Sequence, residues 1–121
     1  MMDNTKNINK YIINIKIGGA AGAGVKSTGQ IISKSLTRLG FSTFSYREYP
    51  SLIRGGHTTY QTLAAVNEEV HSQKKDLNIL LVFDEKSYQL HENELTQNSL
   101  VIYCSSSFEL NDIKGKKIGV P

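Results

Sequence analysis

The chain has 121 residues, 39% hydrophobic and 21% charged, with two prolines, which excludes a disordered chain, a collagen-like repeat and a low-complexity linker. The net charge is only +3, and no stretch approaches the ~20 apolar residues of a membrane span, so we expect no nucleic-acid or membrane partner. Cys104 is the only cysteine, which excludes an internal disulfide and a cluster of several thiolates from this chain. We expect a reduced, cytoplasmic protein.

The first predicted elements are a strand, a glycine-rich turn and a helix. Residues 1–10 are polar and are expected to form a disordered leader. Alternating apolar residues predict a strand at 11–17, and the turn follows at 18–24. The apolar period then changes to that of a helix, which we expect to end at Gly40. The predicted buried face of this helix contains Val25, Gly29, Ile32, Leu36 and Leu39.

The remaining elements predict an α/β domain. A second strand at 41–46 would complete a βαβ unit with parallel strands. Further strands are predicted at 58–66, 70–73, 77–83, 100–104 and 116–120, with a loop at 47–57 and a short helix at 85–95 capped by Asp84. We therefore expect a three-layer α/β/α, Rossmann-like domain with a mostly parallel sheet over residues 11–121. Because no closing helix follows the last strand, we expect this domain to be incomplete at its C-terminal end or covered there by a partner.

The glycine-rich turn has the spacing Gly19-x-x-Gly22-x-Gly24 between a strand and a helix. That context favours an anion, because the free amides and the dipole of a helix N-terminus attract negative charge. The spacing differs from the G-x-G-x-x-G pattern of dinucleotide folds and lacks the lysine of a P-loop. The expected acidic residue about 20 positions on is also displaced, since Arg47 precedes Glu48. A phosphate or partner contact and a tight turn that only packs the helix therefore both stay open.

The second motif is the run from Tyr46 to His57, which concentrates arginine, tyrosine, histidine and a double glycine beyond a strand. Loops of such composition commonly carry function, and arginine and tyrosine are frequent anchors in interfaces and anion sites. A structural loop with solvated charges is the alternative. The candidate residues for cofactor binding or partner contact are Gly19, Gly22, Gly24, Tyr49, Pro50, Arg54, Gly55, Gly56 and His57.

These two motifs, with the helix ending Leu-Thr-Arg-Leu-Gly between them, resemble the gamma domain of 2-oxoacid:ferredoxin (or flavodoxin) oxidoreductases. That family, which includes pyruvate and 2-oxoglutarate ferredoxin oxidoreductases, has a turn of the type G-x-x-G-x-G-V and a segment of the type E-Y-P-S-x-I-R-G-G. The resemblance runs from about Ile13 to the end of the chain and includes the apolar strand ending Leu-Val-Phe-Asp. Ala23 stands where the family commonly has glutamine, which removes one side-chain amide from the turn.

The resemblance implies a non-catalytic part of a larger enzyme. Enzymes of this family decarboxylate a 2-oxoacid on thiamine diphosphate, pass electrons through iron–sulfur clusters to ferredoxin or flavodoxin, and form an acyl-CoA. The expected partners are the alpha and beta catalytic subunits, which would bring these cofactors, while this chain alone would bind none. Its implied role is packing and walling the channel for coenzyme A or substrate, with Arg54 and His57 facing an acidic partner residue or a phosphate. A homodimer is a further candidate assembly.

Other reactive side chains have simpler explanations in the sequence. His71 and His91 lack a second ligand at metal spacing and are expected on the surface. Cys104 ends an apolar strand and is expected to be a buried, inert thiol. Two rivals to the oxidoreductase hypothesis remain, namely a small nucleotide- or CoA-phosphate-binding module and a pure interaction domain of the same fold.

Overall fold

The computed structural model describes residues 11–48, 57–66 and 76–121 of the chain. The leader at 1–10 and the return strand expected at 70–73 lie outside these residues, so both stay predictions. The described elements are β1 (Tyr11–Ala20), α1 (Val25–Arg38), β2 (Ser42–Glu48), β3 (His57–Val66), β4 (Leu77–Val82), α2 (Glu85–His91), a 3-10 turn (Glu92–Glu94), β5 (Leu95–Cys104) and β6 (Lys116–Val120).

The described strands form one six-stranded sheet in the order β2-β3-β1-β4-β5-β6. Strands β1, β4, β5 and β6 pair in parallel, and β3 is antiparallel to both of its neighbours. Strand β2 therefore points the same way as β1, which confirms a mostly parallel sheet. The predicted βαβ unit is wrong in one respect, since β3 lies between β1 and β2. Strand β3 pairs along the whole of β1, from Tyr11 opposite Val66 to Ala20 opposite His57, and so occupies that edge of β1.

The two α-helices of the described residues lie on opposite faces of the sheet. A Cβ atom on Gly19 would lie 3.0 Å from Cγ2 of Val25 in α1, and one on Gly18 would lie 3.3 Å from Cβ of Ser87 in α2. Successive residues of a strand point to opposite faces, so α1 and α2 must cover different sides. This confirms the three-layer α/β/α arrangement.

The apolar core lies on the α2 face of β4 and β5. Its buried side chains come from both strands, from α2 and from the segment after β5, and they are Leu77, Leu80, Val82, Tyr88, Leu95, Val101, Tyr103 and Leu110. The same face of β1 and β3 is buried but polar. There Gln61 donates a 2.7 Å hydrogen bond to Asn14 Oδ1 and accepts one of the same length from Tyr46 Oη.

Several predicted boundaries move in the structure. Leu39, expected on the buried face of the first helix, is 75% exposed because α1 ends at Arg38 and Leu39 only caps it. The second helix ends at His91, and β5 already begins at Leu95. The predicted loop at 47–57 is shorter than expected, since Arg47 belongs to β2 and His57 to β3. In the described part of the chain, no helix combines the length and apolar character needed to cross a membrane.

Candidate functional site

The glycine-rich turn connects the carboxyl end of β1 to α1. A hydrogen bond of 3.0 Å from Ala23 N to Ala20 O closes the turn. Gly22 and Gly24 have φ angles of 89° and 93°, a region that residues with a Cβ atom rarely adopt. Gly24 is also the N-cap of α1 and provides no side chain to cap the first helical amides. The helix therefore presents these amides at the turn, where an anion would be favoured.

An open cavity of about 260 Å³, here called the glycine-turn cavity, lies at this turn. Lys26 and Ser27 come from the first turn of α1, Arg47 from the end of β2 and Thr58 from the start of β3. The full lining is Gly22, Gly24, Val25, Lys26, Ser27, Arg47 and Thr58. Two cationic side chains and no acidic one are among these residues, so the cavity favours a negatively charged group.

Gly19 has a packing role beside this cavity. It is buried in β1, and a Cβ atom there would lie 3.0 Å from Val25 and 3.1 Å from the Phe83 side chain. These distances are tighter than most real Cβ contacts, so the absence of a side chain lets α1 pack closely on the sheet. Gly19 therefore serves the packing of the helix on the sheet, one of the two alternatives left open by the sequence, whereas Gly22 and Gly24 line the cavity.

His57 lies on the opposite face of the sheet, in a group of side chains here called the histidine cluster. The cluster consists of Lys16, His57, Asp84, Ser87, His91 and Glu94. The two histidines approach each other with 3.1 Å between their Nε2 atoms. The Nδ1 atom of His57 lies 3.3 Å from Ser87 Oγ, and the Nδ1 atom of His91 lies 2.9 Å from Glu94 Oε2.

The outer members of the histidine cluster are carboxylates with partners of their own. Ser87 Oγ donates a 2.7 Å hydrogen bond to Asp84 Oδ1, and Lys16 Nζ forms a 2.7 Å ion pair with Glu94 Oε1. Burial acts to raise the pKa of Glu94, but the hydrogen bonds from His91 and Lys16 outweigh it and hold that pKa below its usual range. Burial, reinforced by the nearby His91, lowers the pKa of His57. Because its pKa is lowered, Glu94 is a carboxylate at neutral pH.

The structure separates the residues that the sequence grouped together. Gly22 and Gly24 line the glycine-turn cavity, while the His57 side chain belongs to the cluster on the other face. The other predicted site residues, Tyr49, Pro50, Arg54, Gly55 and Gly56, lie outside the described residues, so their roles stay predictions. Thr58, which directly follows His57, lies beside the glycine turn instead.

The sequence analysis missed Arg47 and Lys26 as cavity residues. Arg47 had a usable signal, because a charged side chain at the carboxyl end of a strand is typical of α/β sites. Ser87 and Glu94 had no such signal. Ser87 contacts His57, which is 30 positions away in the chain, and Glu94 pairs with Lys16, which is 78 positions away. Only the packing of α2 and the following turn on the sheet creates these contacts.

Two predictions about reactive residues are wrong, and one is confirmed. The His91 side chain is only 12% exposed, because α2 turns it towards β1 and β3 rather than to solvent. Cys104 is partly exposed, and hydrogen bonds with the Ser106 and Ser107 hydroxyls lower its pKa. Asp84 caps α2 as predicted, accepting a 2.8 Å hydrogen bond from Ser87 N. Among the residues with described coordinates, no three His, Cys, Asp or Glu side chains are arranged to hold a metal.

The chain is similar to subunits of known oxidoreductases. A 2-oxoacid:ferredoxin oxidoreductase alpha subunit from Aeropyrum pernix is 33% identical over 91 residues, which are 75% of this chain and 14% of the relative. The alpha subunit from Saccharolobus solfataricus is 30% identical over 106 residues, covering 88% of this chain and 16% of that protein. The chain therefore spans a small part of the length of these relatives.

Solved structures of the same class have the same fold. A 2-oxoglutarate:ferredoxin oxidoreductase from Magnetococcus marinus, solved with 2-oxoglutarate, coenzyme A and succinyl-CoA bound, superposes with a TM-score of 0.80. The alignment has 23% identity and covers 91% of this chain and 20% of that one. The gamma subunit of a keto/oxoacid ferredoxin oxidoreductase from Geobacter sulfurreducens gives a TM-score of 0.76 at 16% identity, covering 90% of this chain and 60% of the subunit.

The family assignment rests on most of the chain. The sequence profile of pyruvate ferredoxin/flavodoxin oxidoreductases matches residues 14–120, from the middle of β1 to the last residue of β6. This range contains both the glycine-turn cavity and the histidine cluster. The chain belongs to the pyruvate ferredoxin/flavodoxin oxidoreductase family.

Proposed function

We propose that the chain is the gamma-type part of a 2-oxoacid:acceptor oxidoreductase, which decarboxylates a 2-oxoacid to an acyl-CoA and passes the electrons to ferredoxin or flavodoxin. The observation that carries this proposal is the family match over residues 14–120. The names of the relatives support it, since they are 2-oxoacid:ferredoxin oxidoreductase subunits. The fold agrees with that of a gamma subunit.

Within that enzyme, the chain packs against the alpha and beta catalytic subunits rather than performing the chemistry. A single cysteine cannot provide the several thiolates of an iron–sulfur cluster. The iron–sulfur clusters therefore belong to the partners in this proposal. We assign thiamine diphosphate and the contact with ferredoxin or flavodoxin to the partners as well, as the family resemblance implies. The apolar core on the α2 face and the close packing of α1 give the domain a defined surface against which these partners would pack.

In this proposal, the chain contacts coenzyme A at the glycine-turn cavity. Coenzyme A carries phosphate groups, and its thiol accepts the acyl group when it is bound. The amides at the start of α1 lie beside one open cavity that Lys26 and Arg47 also line, a combination that favours a phosphate group. Lys26, Arg47 and the backbone at Gly24 would hold the phosphate, and Gly22 would let it approach closely.

The experiment for the subunit assignment is an anaerobic pull-down of the tagged chain from its native cells. The bound fraction is assayed for thiamine diphosphate, iron and 2-oxoacid-dependent dye reduction. We expect all three in the bound fraction, with dye reduction that requires both a 2-oxoacid and coenzyme A. A captured complex without cofactors and without activity would contradict the proposal and leave only a shared fold.

The cavity assignment predicts an effect of Lys26→Ala on coenzyme A. We expect this variant to raise the KM for coenzyme A by up to about tenfold, the loss of one exposed charge-assisted contact. The KM for the 2-oxoacid should not change. Steady-state kinetics of the assembled enzyme measure both values. Lys34→Ala is the matched control, because Lys34 is an exposed lysine of the same helix outside the cavity lining. Equal KM values in the two variants would exclude Lys26 from the coenzyme A site.

A stand-alone CoA-phosphate- or nucleotide-binding module is the alternative function. The observation in its favour is that Lys26 and Arg47, the two cations of the glycine-turn cavity, both belong to this chain. Such a module would be stabilised by its ligand without any partner, by about 2.7 kcal/mol at a hundred times Kd. Thermal denaturation of the isolated chain with coenzyme A, with ATP and with neither distinguishes the two functions. Stabilisation combined with an empty pull-down would favour the module.

A further inference from the structure

The two facing histidines of the histidine cluster need a proton between their Nε2 atoms if their contact is to be a hydrogen bond. Their Nε2 atoms are 3.1 Å apart, which is a hydrogen-bond distance between two atoms that are both acceptors when unprotonated. His57 is 5% exposed and the His91 side chain 12%, so water has little access to the contact. The positions of the protons on these rings therefore decide whether the contact attracts or repels.

The surroundings of the rings place a proton on each Nδ1 atom. Glu94 is a carboxylate and can only accept, so His91 donates its Nδ1 proton to Glu94 Oε2. Ser87 has one hydroxyl proton, which it donates to Asp84 Oδ1 at 2.7 Å. Ser87 Oγ is then an acceptor for His57, whose Nδ1 atom lies 3.3 Å away. Both rings thus use their Nδ1 protons outside the pair.

A neutral imidazole carries only one N–H proton. With one proton on each Nδ1 atom and no further proton, two bare Nε2 lone pairs would face each other at 3.1 Å in a buried site, which is repulsive. Moving the His57 proton to Nε2 would remove this repulsion but leave a bare Nδ1 atom facing the Ser87 oxygen at 3.3 Å. One additional proton between the rings converts this repulsion into a charge-assisted hydrogen bond.

The orientation of the rings fits a proton better than a metal ion. The ring centroids are 5.3 Å apart, close to the largest separation that a 3.1 Å nitrogen contact allows. The two Nε2 atoms therefore point at each other, as in a linear N–H···N hydrogen bond. Two ligands of one tetrahedral metal ion would instead converge at an angle.

We propose that His57 and His91 hold a single proton between their Nε2 atoms, and that this shared proton fastens the start of β3 to α2. This inference is independent of the proposed function. Its structural consequence is local, because His57 is the first residue of β3 and directly follows the Arg54-Gly55-Gly56 motif in the sequence. The proton-bound pair would fix the position of the first residue of β3 relative to α2.

A second proton on the pair is unfavourable, which makes the contact sensitive to acid. Burial lowers the pKa of His57, and the charges of His91, Lys86 from α2 and Lys16 from β1 lower it further, whereas Asp84 acts to raise it. A lowered pKa means that His57 stabilises the fold fully above the pKa of an unfolded histidine, about 6.5. This stabilisation is lost as the pH falls below that value, when two adjacent imidazolium rings would form.

The direct test is NMR spectroscopy of the chain labelled with ¹⁵N-histidine, in the purified complex or as the full 121-residue chain, at pH 7. We expect both Nδ1 atoms protonated, one strongly downfield proton, and a scalar coupling between the two Nε2 nuclei across it. His71→Gln, at the third histidine of the chain, should leave these signals unchanged, and His91→Gln should remove the coupling. Two neutral rings, or a bare Nδ1 atom on either ring, would overturn the proposal.

A second measurement is the melting temperature between pH 7 and pH 5.5, a range above the titration of Glu94, whose pKa is lowered. We expect the melting temperature to fall with pH in the wild type and in His71→Gln, and to fall much less in His57→Gln. An equal fall in all three proteins would contradict the role of His57. The measurement is repeated with Zn²⁺, and a rise that requires His57 would assign the pair to a metal ion and overturn the shared proton.

Discussion

At the scale of single residues, the contact between Gly29 and Tyr60 tightly constrains the packing of α1 on the sheet. Gly29 is buried in the middle of α1, where the Tyr60 ring of β3 packs directly on the helix backbone. A Cβ atom at position 29 would lie 2.2 Å from this ring. The periodicity of the sequence already placed Gly29 on the buried face, but the reason for glycine there is visible only in the structure.

We expect Gly29→Ala to destabilise the domain, although alanine is the better helix former. The helix propensity of alanine favours the variant by up to about 1 kcal/mol, but overpacking against the ring costs about 1–3 kcal/mol. Urea denaturation measures the difference. Replacing the neighbouring exposed Gln30 by alanine is the control and should be neutral or slightly stabilising. In the background of Tyr60→Ala, the Gly29→Ala substitution should lose its destabilising effect, and persistence of that effect would refute the ring contact as its cause.

The conformation or role of a single residue could be predicted from the sequence where a local pattern determines it. Gly22 and Gly24 were singled out from their spacing, and both adopt the positive φ angles that the turn requires. The prediction that His91 lies on the surface is wrong. Its side chain contacts Glu94 and also His57, which is 34 positions away in the chain. A contact between residues so far apart in the chain cannot be predicted from a local sequence pattern.

At the scale of elements, α2 depends on its N-cap. It has only seven residues, and helices this short have little stability of their own. The Asp84 side chain accepts hydrogen bonds from both Ser87 N and Ser87 Oγ. This cap therefore orients α2 and, through Ser87, also reaches His57 of the histidine cluster.

We expect Asp84→Ala to lower the free energy of unfolding by about 1–2 kcal/mol, the range measured for loss of a capping side chain. Asp84→Asn should retain most of this energy, because asparagine also accepts from the amide at the third position of the helix. Urea unfolding followed by circular dichroism compares the two variants. Equal losses in both would show that the charge of Asp84, rather than its capping hydrogen bond, stabilises α2.

Most elements could be predicted from periodicity, but their ends and neighbours could not. The strand at 116–120 has the predicted bounds, whereas β5 begins five residues earlier than expected. Its first half, Leu95–Ser99, is only partly apolar, and it counts as a strand because Leu95 pairs with Leu77 and Ser99 Oγ donates to Leu77 O. These are contacts between distant parts of the chain.

At the scale of the whole molecule, the sheet divides into an apolar and a polar region on its α2 face. The β4 and β5 region contains the hydrophobic cluster around Leu80 and Val101, while the β1 and β3 region contains the buried Asn14 and Gln61. Burial of apolar surface is the main driving force of folding, so the cluster is expected to hold most of the stability. The polar region instead determines specific contacts, through Tyr46, Gln61 and Asn14.

We expect Leu80→Ala to destabilise the domain by about 2–5 kcal/mol, because Leu80 is fully buried and its removal leaves a cavity. Ile118→Ala, in β6 and 49% exposed, is the control and should cost well under half as much. Both free energies come from urea titrations of the same chain. Similar losses for the two variants would place the stabilising core elsewhere than around β4 and β5.

The sequence by itself determined the fold class, the glycine turn and the family, because these depend on short-range periodicity and on motifs of consecutive residues. Only the tertiary structure decided that β3 inserts between β1 and β2, that the glycine turn and His57 lie on opposite faces, and that His57 meets His91. The physical reason is the geometry of strands. Adjacent residues of a strand point to opposite faces, so Thr58 of β3 faces α1 and the cavity, while His57 faces α2 and the histidine cluster.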